Sequence, residues 1–163
     1  MNKIDRVRAA LNNAPVDRVP ASFWYHFPPD RMHGESAVRA HVDYFRQSGI
    51  DFLKVMNEHP VQANLTIREP ADWRAVRPAP LTAPFYQAML DELKAILDAL
   101  GGECLVIVTV FGPFASGNHA SGDLVTPHLR VAPHDVSLGL AAIAESPVSY
   151  THLRAHETPE HLV

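Results

Sequence analysis

Apolar residues along this chain follow a helical period in several windows and crowd together without alternation in one. The crowded stretch is Cys104 to Phe114, C-L-V-I-V-T-V-F-G-P-F, where Leu105, Val106, Ile107, Val108, Val110 and Phe111 leave no regular polar face. A run with both faces apolar predicts an interior parallel strand covered on each side. It is too short to cross a bilayer. Gly112 and Pro113 stop the run, and a polar, Gly-containing loop is expected from Ala115 to Gly122. Upstream, Met89, Leu93, Ile96, Leu97 and Leu100 recur at helical spacing, and Gly101-Gly102 supply the left-handed residue that ends a helix. A helix feeding a buried strand is half of a β-α-β unit.

The remaining segments extend the alternation. Asn2 can cap a helix from Lys3 to about Asn12, with Ile4, Val7 and Leu11 on one face, and Pro15 closes it. After P-V-D-R-V-P (Pro15 to Pro20), the run Ala21 to Phe27 reads as a first strand ending in Tyr25 and His26. Ser36 is placed to cap a helix from Ala37 to Ser48, with Val38, Val42 and Phe45 inward and Gly49 at its C-terminal cap. Asp51 to Met56 reads as a second strand, followed by a long loop from Pro60 to Thr82. Pro133 to Glu145 reads as a helix through Val136, Leu140 and Ile143. Strands alternating with helices predict parallel pairing with right-handed crossovers, in a β/α barrel or an open doubly wound sheet. No G-x-G-x-x-G or G-x-x-x-x-G-K-[ST] follows a strand, which shifts the expectation toward the barrel.

Composition narrows the partners. The 163 residues, 47% hydrophobic, suit one domain with a core. A net charge of -4 and a pI near 6.2 carry no basic patch, so neither nucleic acid nor a membrane is expected as a partner. Cys104 is the single cysteine; it fits a reducing compartment and reads as a small core hydrophobe. M-N-K-I-D-R-V-R lacks the apolar region of an export signal, which makes the cytoplasm the expected location.

Several of these segments carry a resemblance. The N-terminal helix, P-V-D-R-V-P, the strand to His26, I-D-F-L-K-V-M-N-E and the helix leading into V-I-V-T-V-F-G-P-F resemble the uroporphyrinogen decarboxylase superfamily, over roughly Lys3 to Glu145. The resemblance implies the N-terminal part of a (β/α)8 TIM barrel, truncated after about three strands. It includes both the haem-pathway decarboxylase and zinc-dependent, corrinoid-linked methyltransferases. The decarboxylases follow P-V-D-R-x-P with R-Q-A-G-R-Y, whose arginines hold substrate carboxylates. Here Tyr25, His26, Phe27, Pro28, Pro29 and Asp30 stand there instead, with Arg31 close but out of register. The decarboxylase F-S-D is matched by Met56, Asn57 and Glu58, so Glu58 takes the aspartate's place with one more methylene.

In a β/α barrel the reacting groups stand where strands exit into loops. His26, the trio Asn57, Glu58 and His59, and Phe111 with His119 are therefore expected on one rim. Glu58 is the expected electrostatic partner or acid/base, and His26 the proton donor or a metal ligand. Asn57 is expected to orient substrate, with Phe111 and His119 also binding it. Lys54 is either a perturbed buried amine or a residue snorkelling between strand and helix. Phe23, Trp24 and Tyr25 read as packing. The resemblance implies a fragment of an enzyme decarboxylating tetrapyrrole carboxylates in porphyrin biosynthesis, a small-molecule reaction with no metal or organic cofactor. The alternatives are a methyltransferase using zinc and a corrinoid, with zinc activating a thiol, and a truncated product without function. A homodimer is one option for the parent enzyme.

The expected organisation is an incomplete barrel domain over 1–146 and a non-native tail over 147–163. His152, His156 and His161 invite a zinc reading, but the order does not match H-E-x-x-H and Pro159 would interrupt the helix needed to align them. The stretch P-V-S-Y-T-H-L-R-A-H-E-T-P-E-H-L-V resembles translated sequencing-adapter read-through. A barrel left open after about three strands keeps an unpaired edge, so such a chain is expected to be insoluble or molten and inactive.

Overall fold

Asn2 starts the first helix, as its sequence predicts: its side-chain oxygen accepts the Asp5 N–H at 2.7 Å, and α1 spans Lys3–Leu11. The computed structural model describes residues 1–59 and 65–157, with side chains as far as Ser146. The chain divides into two compact units, Met1–Glu58 with Ala88–Thr109, and His59–Gln87 with Val110–Val163.

In the first unit α1 is followed by a 3-10 turn at Pro29–Arg31, helix α2 (Gly34–Ser48) and strand β1 (Phe52–Val55). Helix α3 (Pro84–Leu100) belongs to this unit from Ala88 onward and leads into strand β2 (Leu105–Val108). The strands pair in parallel, with Phe52 opposite Leu105 and Val55 opposite Val108. Side chains alternate across a strand. Leu53 and Val55 are accordingly buried against Val42 and Phe45 of α2 and Leu93, Ile96 and Leu100 of α3, while Phe52 and Lys54 stay half-buried. Burying each of these large apolar side chains contributes about 2 kcal/mol. Cys104 lies in the same core, where burial pushes its thiol up to about 11. Gly49, at φ 71°, ends α2 in the left-handed conformation that glycine adopts without steric cost.

The second unit is organised around Trp73, which is fully buried among Ile67, Val76, Val125, Val136 and Ile143. Trp73 sits on a 3-10 turn, Pro70–Ala75, capped reciprocally by Glu69 and Asp72. Helices α4 (Pro113–Ser121), α5 (Val125–Val131) and α6 (Pro133–Glu157) complete the unit. Glycines let two of these helices approach. A Cβ at Gly139 would stand 2.6 Å from Trp73 Cε3, and one at Gly117 would stand 2.7 Å from Leu140 Cδ2. Trp73 Nε1–H donates to His128 Nδ1 at 3.0 Å, which satisfies the buried indole.

This architecture overturns the barrel expectation. The described residues are mostly helical and hold one two-stranded parallel sheet, so the chain is not a TIM barrel truncated after three strands. The predicted first strand, residues 21–27, is irregular. Among the described residues one backbone–backbone bond reaches it, from Asp51 N–H to the Ala21 carbonyl at 2.8 Å, and a single bond makes no ladder. Nor is the run from 104 to 114 interior. Ile107 is 46% exposed, because β2 has one neighbouring strand and helices cover one face of the pair, and Val110, past the end of β2, is 42% exposed. The loop expected over 115–122 is the body of α4. Pro113 occupies its first turn and Gly122, at φ 64°, its C-terminal cap. Ser36 does not cap α2; its hydroxyl donates to the carbonyls of Asp30 and His33, both at 3.0 Å. The last helix runs past Glu145 to Glu157. The side chains of His152 and His156, together with Pro159 and His161, lie outside the described residues.

Candidate functional site

P-V-D-R-V-P acts as a clamp that sets where the segment leading to His26 begins. Asp51 is fully buried and accepts from Arg6 Nη1 at 2.6 Å, Arg18 Nη1 at 2.6 Å, Arg18 Nη2 at 2.8 Å and the Ala21 N–H at 2.9 Å. Asp17 accepts from Arg6 Nε at 2.6 Å and Nη2 at 2.9 Å, a two-point grip on the same guanidinium. Burial pushes the Asp51 carboxyl up, yet the bonds from Arg18, Ala21 and Arg6 outweigh it and hold the group below its usual range. The Arg6 bond likewise holds Asp17 well below the carboxylate range.

From Ala21 the chain runs through a row of rings. Phe27 is buried and meets His41 edge-on at 4.8 Å between centroids, while Phe23, Trp24 and Tyr25 are exposed. His41 is satisfied on both nitrogens. Its Nδ1–H donates to the Ala37 carbonyl at 2.8 Å, and Nε2 accepts the Met56 N–H at 3.3 Å. Burial pushes the His41 pKa down, opposed by the Ala37 carbonyl and the carboxylates of Glu92 and Glu58. A neutral His41 therefore fixes the backbone at Met56, immediately before Asn57 and Glu58.

Beyond that anchor, His26 and Glu58 meet. His26 Nδ1 lies 2.6 Å from Glu58 Oε1; the imidazole is 53% exposed and the glutamate side chain 14%. A carboxylate on Nδ1 selects the Nδ1–H tautomer, so Nε2 is a base when the ring is neutral and a donor when it is protonated. The Trp24 ring stands edge-on to His26 at 5.0 Å, and Lys54 Nζ lies 5.4 Å from the Trp24 centroid. Asn57 is buried beside Glu58.

Phe111 and His119, expected on the same rim, pair with each other in the second unit, ring centroids 5.0 Å apart at 77°. His59 is the first residue of that unit. The shared rim was a property of barrel geometry, so each pair is read within its own unit.

Sequence reasoning missed His41 and the Arg6–Asp51 bond. Three residues after Val38 and four before Phe45, His41 sits on the apolar face of α2, a spacing that signals burial. No family model, curated protein or solved structure matches the chain. Among the described residues no helix is long and apolar enough to cross a membrane.

Proposed function

We propose that this chain carries the proton-handling pair of a decarboxylase of the uroporphyrinogen decarboxylase type, acting on a small-molecule carboxylic acid. The supporting observation is the 2.6 Å contact between His26 and Glu58, residues 32 apart in the chain. His26 lies in the irregular segment 21–27 and Glu58 three residues past the end of β1, so the contact joins two separate stretches of the first unit. In the proposed reaction the C–C bond to the substrate carboxylate breaks, CO2 leaves and the bonding electrons stay on carbon. Protonated His26 delivers its Nε2 proton to that carbon, and Glu58 stabilises the positive charge on the imidazolium beforehand. Water then returns the proton to His26. No metal or organic cofactor enters this scheme. A positioned general acid of this kind contributes roughly 10²–10⁴-fold.

The test is release of labelled CO2 by the full chain from carboxyl-labelled uroporphyrinogen and from the smaller pyrrole acid porphobilinogen. Release is expected from at least one of them, falling about 10²–10⁴-fold in His26→Gln and Glu58→Gln. No release from either acid, or rates unchanged in both variants, overturns the reading.

A further inference from the structure

Lys54 is the polar residue of β1, on the strand face away from the core, between buried Leu53 and Val55. Its register partner across the sheet is Ile107, 46% exposed, so the lysine stem runs over a half-covered apolar surface and its ammonium ends at the Trp24 ring. Among the described residues no carboxylate pairs with it, and its ammonium faces the indole ring 5.4 Å from the centroid. Trp24 in turn touches His26, which carries the Glu58 carboxylate. A cation–π contact at such a site is weak, worth about 0.5–1 kcal/mol. A charge-assisted bond to a carboxylate is stronger, so an incoming anion has reason to take the ammonium from the ring.

We infer that Lys54, with Trp24 as its resting partner, is a substrate-binding residue that holds a carboxylate of the acid handled at His26–Glu58. This inference rests on the function proposed above. The carboxylate it holds is not the one lost, because a cation on the departing group stabilises the ground state that must break down. The acid therefore carries at least two carboxylates, one gripped and one released. Lys54 thus takes a role that the absent R-Q-A-G-R-Y arginines leave open at this end of the chain.

The test is calorimetric titration of the full chain with succinate at constant ionic strength. Binding is expected to weaken at least tenfold in Lys54→Met and to stay within about threefold of the parent in Lys54→Arg, which keeps the charge. In turnover, Lys54→Met should raise KM with little change in kcat, the reverse of His26→Gln. Equal succinate affinity in the parent and Lys54→Met overturns the inference, as does weakening of the same size in Lys54→Arg, which would mark a structural role. Lys54-dependent succinate binding without CO2 release would overturn the decarboxylase reading and leave the anion site standing. CO2 release with KM unmoved in Lys54→Met would overturn the anion site alone.

Discussion

Arg6 and Asp51, 45 positions apart, meet with guanidinium Nη1 2.6 Å from carboxylate Oδ1, and both side chains are nearly inaccessible, at 8% and 0% exposure. Because Arg6 also grips Asp17, and Asp51 also accepts from Arg18 and the Ala21 N–H, this contact ties α1, P-V-D-R-V-P and the approach to β1 into one network.

Asp51→Ala removes the acceptor at the centre and leaves the buried Arg6 Nη1 without its carboxylate, while Asp17 and the Met1 carbonyl still hold Nε and Nη2. A loss of about 3 kcal/mol is expected, typical of breaking a buried pair from one side. Urea unfolding followed by circular dichroism measures it, and a loss below about 1 kcal/mol would show the network to be marginal. The pH dependence has a definite sign. The folded-state pKa of Asp51 lies below its ordinary value of 3.8, so its contribution is complete above that value and disappears as pH falls through the lower folded one. Acid unfolding should therefore steepen below about pH 4, and less so in Asp51→Ala.

His41 produces a second pH effect at a different place on the scale. Its folded-state pKa lies below the ordinary 6.5, chiefly through burial, so the unfolded chain takes up the proton first. Stability is whole above 6.5 and falls as pH drops from there toward the folded value. In His41→Leu that part of the slope should vanish, although the variant starts from a lower stability because Met56 N–H loses its acceptor. Denaturant midpoints between pH 7.5 and 5 compare the two chains; identical slopes would mean that His41 accepts a proton without cost.

Gly139→Ala tests the packing on Trp73. Helix propensity alone favours alanine by about 1 kcal/mol. The added Cβ, however, would stand 2.6 Å from Trp73 Cε3 and 3.0 Å from the Trp73 carbonyl oxygen, and backbone cannot swing aside as a flexible side chain can. Overpacking of this kind costs about 1–3 kcal/mol, so a net loss is expected, visible as a lower thermal midpoint and altered Trp73 emission. A raised midpoint would refute the close approach.

What could be read in the sequence was what local pattern controls. Asn2 caps α1, Gly49 closes α2, and the apolar periods of α2 and α3 fall on the faces that meet β1. The parallel pairing of β1 and β2 followed from the helices between them. Residues 21–27 looked like a strand by composition, but a strand exists only with a partner, and the chain offers that segment one backbone bond from Asp51. Small polar residues made α4 look like a loop, although Pro113 and Gly122 flank it as helix-end signals; Gly117 is small there because Leu140 and Trp73 leave no room. The nearness of His26 to Glu58 was expected on a barrel rim that the fold does not have, and the clamp of Arg6 and Arg18 on Asp51 depends on a long-range fold-back that no local pattern encodes.

The left-handed turn at Gly49 has an effect on local opening. It ends α2 at Ser48 with only Ile50 before Asp51, and Ile50 is itself buried. The final turn of α2 therefore has no slack in which to fray without pulling the carboxylate off two guanidinium groups. Amide hydrogens at that helix end should exchange with solvent only when the whole first unit opens, unlike those of an ordinary helix terminus.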